Sequence, residues 1–487
     1  MLDRDNPKVM QAPGNSHEEL GGFEMTMEPG RSVQQQTTDI AVGGVGIEDC
    51  YENGNSAARY PAGNSSAGGA VANFVNTIVG AGIVGLPFAL AQSGLWAGLL
   101  MMCLAAFLTT KSTNMLIAAG EKCNRLNYEE LMAEVFGNAG IYAFSFFAGV
   151  LAFGAMSAYL IIVGDTIPKI VLHSGVTTGA FADRSSVIVI FGIFGVLPVS
   201  LLKDMSKLAY TSGASVFADL LLVFIVIFAG PEEASDNEAI DTSERFDFIR
   251  PTIFAGFGAI SFAFVCQSSS FLVYRSMSRG GVDRWAWVAR WSVSIALVMG
   301  VVLSLGGYLS FVDETQGNIL NNFSTDHEAA SVARAFLAIT MIFTYPMEMY
   351  VCRHVLDVSL FQTFLGMGPM TSLRHYGITV AIWTLTVILA ASTDDLGSIL
   401  EVFGAFGASA VGYIMPALLH MKSNRAELRR ATSVWRKGSA EYEPALGERL
   451  WGLRKFYTPA FMVVFGIIAT IAGVATAIVS DLSPTKA

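Results

Sequence analysis

Charge is what this sequence has least of. Only 14% of its 487 residues are Asp, Glu, Lys or Arg, while 53% are hydrophobic. An average soluble domain is about a quarter charged. A soluble chain this apolar would expose patches well beyond a few hundred Å² and aggregate. Basic excess is missing as well: the net charge is -10, so no global field points to a nucleic-acid partner. The five cysteines are scattered without CxxC or zinc-type spacing, and no two fall in segments read below as outer loops, which excludes a disulfide scaffold. No grouping of His, Cys and acids has metal-ligand spacing and no GxSxG occurs, so neither an enzyme nor a resident cofactor is expected. The basic start and apolar core of a signal peptide are absent, and so is the alternation of a porin strand.

What is present is a series of apolar stretches near the ~20 residues that cross a bilayer. They fall at about 69–93, 95–120, 139–165, 186–202, 207–230, 251–275, 288–312, 330–352, 375–393, 398–421 and 456–479. In lipid every backbone polar group needs a partner inside its own segment, so these are helices. The expected fold is an all-α polytopic membrane protein with eleven transmembrane helices. Residues 1–68 are rich in Gly, Ser, Asn and acids and read as a disordered tail. The rest divides into a first five-helix half at 69–230, a second at 251–421, a basic loop at 422–455 and a last helix at 456–479.

Lysine and arginine orient the chain. With the tail inside, nineteen fall in inner loops, among them Lys122, Arg279, Arg353 and Arg430, against six on the outer side. This predicts a cytosolic N-terminus and a C-terminus outside or in a lumen. The sequon Asn322-Phe323-Ser324 then lies outside, where Asn322 could carry a glycan. The inner segment "YEELMAEVF" places Tyr128, Leu131, Met132, Val135 and Phe136 on one helical face, as in a short helix lying on the inner leaflet. The basic 422–455 loop is expected to touch anionic lipid.

The first span, "GGAVANFVNTIVGAGIVGLPFALAQSGL", places Gly80, Ala81, Gly82 and Gly85 before Pro87. Glycine frees the backbone and proline removes a donor, so the helix is expected to unwind near Gly80–Gly82. Such a break survives only inside protein or beside a water-filled cavity; the alternative is close packing of small residues. The sixth span, "PTIFAGFGAISFAFVCQSSSFLVYR", has early glycines Gly256 and Gly258 and a polar centre from Ser261 to Ser270. Interrupted helices at corresponding places in two halves point to an inverted repeat with a midplane site.

Asp219 in the fifth span is expected to be protonated, hydrogen-bonded or facing water. Proton coupling through it and a structural acid are both open. Glu348 and Glu401 read either as gate residues or as helix-end charges, and Lys111 as a snorkelling cation.

"NFVNTIVGAGIVGLPFA" resembles the first span of the sodium-coupled neutral amino acid transporters (solute carrier family 38), within the amino acid/auxin permeases. "SFAFVCQSSSFLVY" is similar to that family's sixth span, "GGYLSF" with "QGNIL" to its seventh span and outer loop, and "RAFLAITMIFTYPMEMYVCR" to its eighth. The resemblance runs through about residues 68–480. It implies a fold like the bacterial leucine transporter, a 5+5 inverted repeat plus one extra helix. It implies transport of amino acids, most often neutral ones, with sodium or in relatives a proton as the co-transported ion. The family's sodium-linked asparagine falls on Asn76, beside Val79, and its eighth-span threonine on Thr344, with Thr340 one turn earlier. Hydroxyl and carbonyl oxygens suit a hard cation; the alternative for each threonine is back-bonding to its own helix. Gln267 stands where the family has histidine, and "FLVY" where it has "LPIY".

On this reading amides of Gly80, Ala81 and Gly82 hold the substrate carboxylate and carbonyls of Ser261, Phe262 and Ala263 its ammonium. Phe262 and Phe264 either line the pocket or pack. The membrane is the plasma membrane or a lysosomal or vacuolar one. The rival reading is a membrane-embedded amino acid sensor with little flux.

Overall fold

The computed structural model describes residues 63–202, 212–235, 245–278, 280–425 and 446–482. Every long element is helical, as the bilayer demands of a chain with this composition. The order is α1 (Ala67–Val79), α2 (Leu86–Ser93), α3 (Leu95–Lys122), α4 (Tyr128–Phe136), α5 (Asn138–His173), α6 (Arg184–Phe191) and α7 (Leu197–Ser200). Then come α8 (Ser212–Ser235), α9 (Ile253–Phe264), α10 (Gln267–Ser276), α11 (Val282–Phe311), α12 (Glu328–Leu356), α13 (Ser372–Ser392), α14 (Leu396–Phe403), α15 (Met415–Ser423) and α16 (Leu446–Leu482). Nine described helices are long and apolar enough to cross a membrane, or ten if the bent pair α1/α2 is one span. The continuous apolar piece Arg184–Ser200, made of α6, a π turn and α7, is shorter.

Hydrogen bonds sort the helix ends into two groups. At one, here the upper end, Arg250 N–H reaches Ser93 O, Arg184 reaches Thr393 O, and Ser324 N–H reaches Glu233. At the lower end Tyr274 bonds Glu121, Lys122 bonds Asn424, and Arg353 bonds Ser200 O. Successive long helices therefore run in alternate directions. Two of them form the centre. In α9 every residue from Ala255 to Phe264 is buried, and α5 lies along α12 for most of its length.

Three sequence expectations change here. The tail was predicted to stay unstructured to residue 68, and residues 1–62 lie outside the described residues. Gly63–Ser65, however, bond in parallel with Ser276–Ser278 (Ser65 N to Ser276 O 2.9 Å, Ser278 N to Ser65 O 2.9 Å), and the Ser66 hydroxyl caps α1. A free edge at the end of α10 pairs with chain that would otherwise be solvated. The helix α4 does not lie on the leaflet. Its apolar residues Tyr128, Leu131, Met132 and Val135 are buried against the bundle, because a surface already present in the protein covers them. Burial pushes the Tyr128 hydroxyl up in pKa, and as a neutral donor it bonds Val411 O at 2.8 Å. The basic loop ends early, since α16 starts at Leu446; residues 426–445 lie outside the described residues, as do 236–244 of the acidic loop. Lys422 sits over the Phe136 ring, 4.4 Å from its centre.

Candidate functional site

The first span breaks where the glycines are. The helix α1 stops at Val79, Gly80 takes φ -41 and ψ -157, and a 3-10 turn, Ala81–Gly85, leads into α2. The two pieces meet at 51°. The last carbonyls of α1 and the first amides beyond Gly80 thus fall outside a continuous α-helical ladder; Gly80 O accepts Ile83 N–H at 3.1 Å.

The second break is displaced from the expected place. The helix α9 continues through Ser261, Phe262 and Ala263 to Phe264, and helical geometry is lost only at Val265 (φ -74, ψ 119, extended) and Cys266 (φ -143, ψ 7). Gly256 and Gly258 do not break it. A Cβ on Gly256 would collide with Ala89 O, and one on Gly258 with Glu401 O. They let α2 and α14 approach, which is the small-residue packing of membrane helices. The carbonyls of Ser261, Phe262 and Ala263 are instead the open last turn of a half-helix. Gln267 closes the gap: its Oε1 accepts Cys266 N–H (2.9 Å) and its Nε2 donates to Ser112 Oγ (2.8 Å).

The two breaks touch. A Cβ built on Gly82 would stand 2.5 Å from Ala263 Cα and 3.1 Å from Ala263 N, whereas one on Gly80 meets nothing within 4 Å. Gly82 is the contact and Gly80 borders open space. The backbone of Ala81 lies between them. Phe262 and Phe264 are both buried, Phe262 against Gly404. Ser261 lies beside the Tyr413 hydroxyl. The structure therefore brings Gly80, Ala81, Gly82, Ser261, Phe262, Ala263 and Phe264 together, with opposed helix ends meeting at one level.

It does not gather the cation positions in the same way. Asn76 Oδ1 is buried without a hydrogen bond, and Val79 ends α1 with its carbonyl open. Thr340 Oγ1 donates to Leu337 O (2.8 Å) and Thr344 Oγ1 to Thr340 O (2.7 Å), so both threonines back-bond, with oxygen lone pairs left over. The helix α1 rests on α8, α10 and α11 and makes at most a glancing contact with α12. Asp219 is 3% exposed, and its Oδ2 has no partner among the described residues; an ionised acid at mid-membrane costs about 2.5–3.5 kcal/mol. Glu401 is buried and Lys111 lies over the Phe107 ring. Asn322 is occupied: Nδ2 donates to Glu314 O (2.6 Å) and Oδ1 accepts Gln316 N–H (2.9 Å).

Sequence reasoning missed the closures at both ends. Above the breaks, the 312–327 loop lies close over Gly85 and Gly397 through Gly317. Asp165 of α5 holds it, accepting from Asn321 Nδ2 (3.0 Å) and pairing with Arg184 (3.0 Å). Arg334, fully buried, donates to Leu320 O, Phe323 O and Ser324 O at 2.7–3.1 Å. Below, Glu129 of α4 pairs with His354 of α12 at 2.9 Å. The available signal was the ionisable residue within or beside a span; its partner is remote in sequence and left no trace there.

The profile of the Transmembrane amino acid transporter protein family matches residues 63–442. A zebrafish (Danio rerio) protein named putative sodium-coupled neutral amino acid transporter 11 is 32% identical over 366 residues, 74% of this chain and 80% of its own length. Vacuolar amino acid transporter 2 of Saccharomyces cerevisiae is 27% identical, over 71% of this chain and 74% of its own. Among solved structures, the inward-facing conformation of Mhp1 superposes with a TM-score of 0.51 at 13% identity, covering 88% of this chain and 93% of that one, a likeness of fold.

Proposed function

The chain belongs to the transmembrane amino acid transporter protein family, and from that premise we propose that it is a secondary active transporter of neutral amino acids coupled to sodium. The observation that carries this is the meeting of two broken helices at Gly82 and Ala263. Amides at Gly80–Gly82 face a substrate carboxylate, and the open carbonyls of Ser261–Ala263 face its ammonium; in each case a helix-end partial charge meets its opposite. Phe262 and Phe264 back the pocket. The pairs α1/α2 and α9/α10 run in opposite senses, which suits two inverted five-helix repeats. Counting Arg184–Ser200 as a short span makes eleven crossings, with the N-terminus cytosolic and the C-terminus outside or lumenal. One charge moving down 100 mV supplies about 2.3 kcal/mol. At about 1.4 kcal/mol per decade this supports roughly fortyfold accumulation. The membrane is the plasma membrane or a lysosomal or vacuolar one.

The test is uptake of a mixed amino acid panel into proteoliposomes under imposed sodium or proton gradients. Sodium would be held by Asn76 and Val79 on one side and Thr340 and Thr344 on the other, drawing α1 toward α12. The orphaned Asn76 oxygen supports this. Asn76→Ala and Thr344→Ala are each expected to raise the sodium concentration for half-maximal uptake. By linkage they weaken apparent substrate affinity most at low sodium, and the double variant adds little. Uptake that ignores sodium in the wild type would sink this assignment. A second reading, proton coupling through Asp219, is favoured by its unpartnered Oδ2 and predicts uptake in choline buffer that Asp219→Asn abolishes. A protein that binds the panel but moves none of it, even without its tail, would be a sensor instead.

A further inference from the structure

The chain just ahead of α1, expected as solvated tail, is bonded to the end of α10. Gly63 N–H donates to Met277 O (3.1 Å), Ser65 N–H to Ser276 O (2.9 Å) and Ser278 N–H to Ser65 O (2.9 Å), a parallel bridge that pairs Ser65 with Met277. The fit is close: a Cβ on Gly63 would collide with the Ser276 backbone, and Met277 is 2% exposed. Ser66 then caps α1, its hydroxyl accepting Gly69 N–H at 3.1 Å. Only Ser66 stands between the bridge and Ala67, the first residue of the helix. One residue spans at most about 3.6 Å, so α1 cannot draw away from the end of α10 while the bridge holds.

The rest of this half-helix keeps to the same partners. Phe74 packs on Trp285 of α11 (ring centres 5.1 Å apart), which also stands against Tyr274 of α10 (5.9 Å), and Ser292 Oγ of α11 donates to Val71 O at 3.2 Å. The Tyr274 hydroxyl donates to Glu121 of α3 (2.7 Å) and accepts Gly281 N–H (2.8 Å). Ala70, Phe74 and Trp285 are fully buried. Toward α5 and α12, α1 makes at most a glancing contact. A swing of α1 on its own would break the three backbone bonds of the bridge and bare Ala70, Phe74 and Trp285. A shift of α1 together with α10 and α11 leaves all of these contacts intact.

We propose that residues 63–66 form a strap that keeps the lower half of the first broken span joined to the lower half of the sixth throughout the transport cycle, so that α1 and α10 open the lower end as one body against α5 and α12. This rests on the transporter reading above and adds which parts move. The break at Gly80–Gly82 by itself would let α1 swing out alone, and the strap removes that motion. It also makes Gly63 a working position, because a side chain there parts the two strands.

The experiment uses the full chain in proteoliposomes, with the neutral amino acid panel and a sodium gradient. Ser65→Cys and Met277→Cys are combined; directly paired residues in neighbouring strands stand about 4.8 Å apart, within disulfide reach. Mild oxidation should join them, with the linked peptides identified by mass spectrometry, and the oxidised protein should keep the uptake of its reduced form. Separately, Ala70→Cys should resist a water-soluble maleimide with and without substrate. Adding Gly63→Val should raise its labelling rate about fivefold, as the loss of one backbone bond allows, and should slow uptake. The inference is overturned if the pair does not join, if oxidation stops uptake in the pair but not in the wild type, if substrate opens Ala70→Cys to the maleimide while Gly63 is in place, or if Gly63→Val leaves labelling and uptake unchanged. Each of these outcomes leaves wild-type uptake standing; absence of wild-type uptake overturns the transporter reading and the strap's part in it.

Discussion

Replacing Gly82 by alanine is expected to abolish uptake and to lower the amount of folded protein. The new Cβ would lie 2.5 Å from Ala263 Cα, and the obstacle is backbone in the last turn of α9, so no rotamer change relieves it. The two breaks must move apart, with a cost of about 1–3 kcal/mol for an overpacked site, and the opposed helix ends lose their register. Valine at Gly82 should be worse still. The contact with Ala263 makes either variant a folding lesion as well as a cover over the amides. Gly80→Ala is the control, since nothing lies within 4 Å of its Cβ. It should express and melt like the wild type, and any loss of uptake then reports substrate contact. Thermal unfolding in detergent and vesicle uptake of all three variants decide the matter. A Gly82→Ala protein with wild-type melting and wild-type uptake would remove the helix-break contact from the mechanism.

Arg334→Leu should strongly destabilise the upper end, by about 2–3 kcal/mol or more, since charge-assisted bonds are lost and buried carbonyls are left without a donor. Three carbonyls of the 320–324 turn share this one guanidinium. Without it they are stranded beneath the loop, and the turn Ile319–Asn322 loses its anchor to α12. Lysine should restore little, because an ammonium cannot reproduce the planar fork that reaches Leu320, Phe323 and Ser324 together. The checks are a lowered melting temperature and faster proteolytic cleavage within 312–327. A Leu variant with unchanged melting and cleavage would show that the loop is held by Asp165 and Lys169 alone.

Much of the architecture was legible because lipid leaves few choices. A long apolar run must satisfy its own backbone, so each span could be read as a helix from composition alone. Gly80, Gly82, Gly85 and Pro87 fall within eight residues of one another, and that local backbone chemistry was enough to locate the first break. The second break was legible only as a polar region. Whether a helix stops at Ser261 or runs on to Phe264 depends on Thr109, Ser112 and Gln267, which close the gap from α3 and α10.

The sequence by itself determined that the chain lives in a membrane, that it is helical, and that its first span is interrupted, because each of these follows from the free energy of short stretches in lipid. Only the tertiary structure decided which glycine is contact and which borders space, that α4 packs on protein instead of the leaflet, that Asn322 closes a loop, that Arg334 holds one, and that Gly63–Ser65 bond the end of α10. Those outcomes depend on residues about 10 to 300 positions apart. No local period or propensity carries the distance between such residues, and the packing that sets it exists only once the helices have assembled.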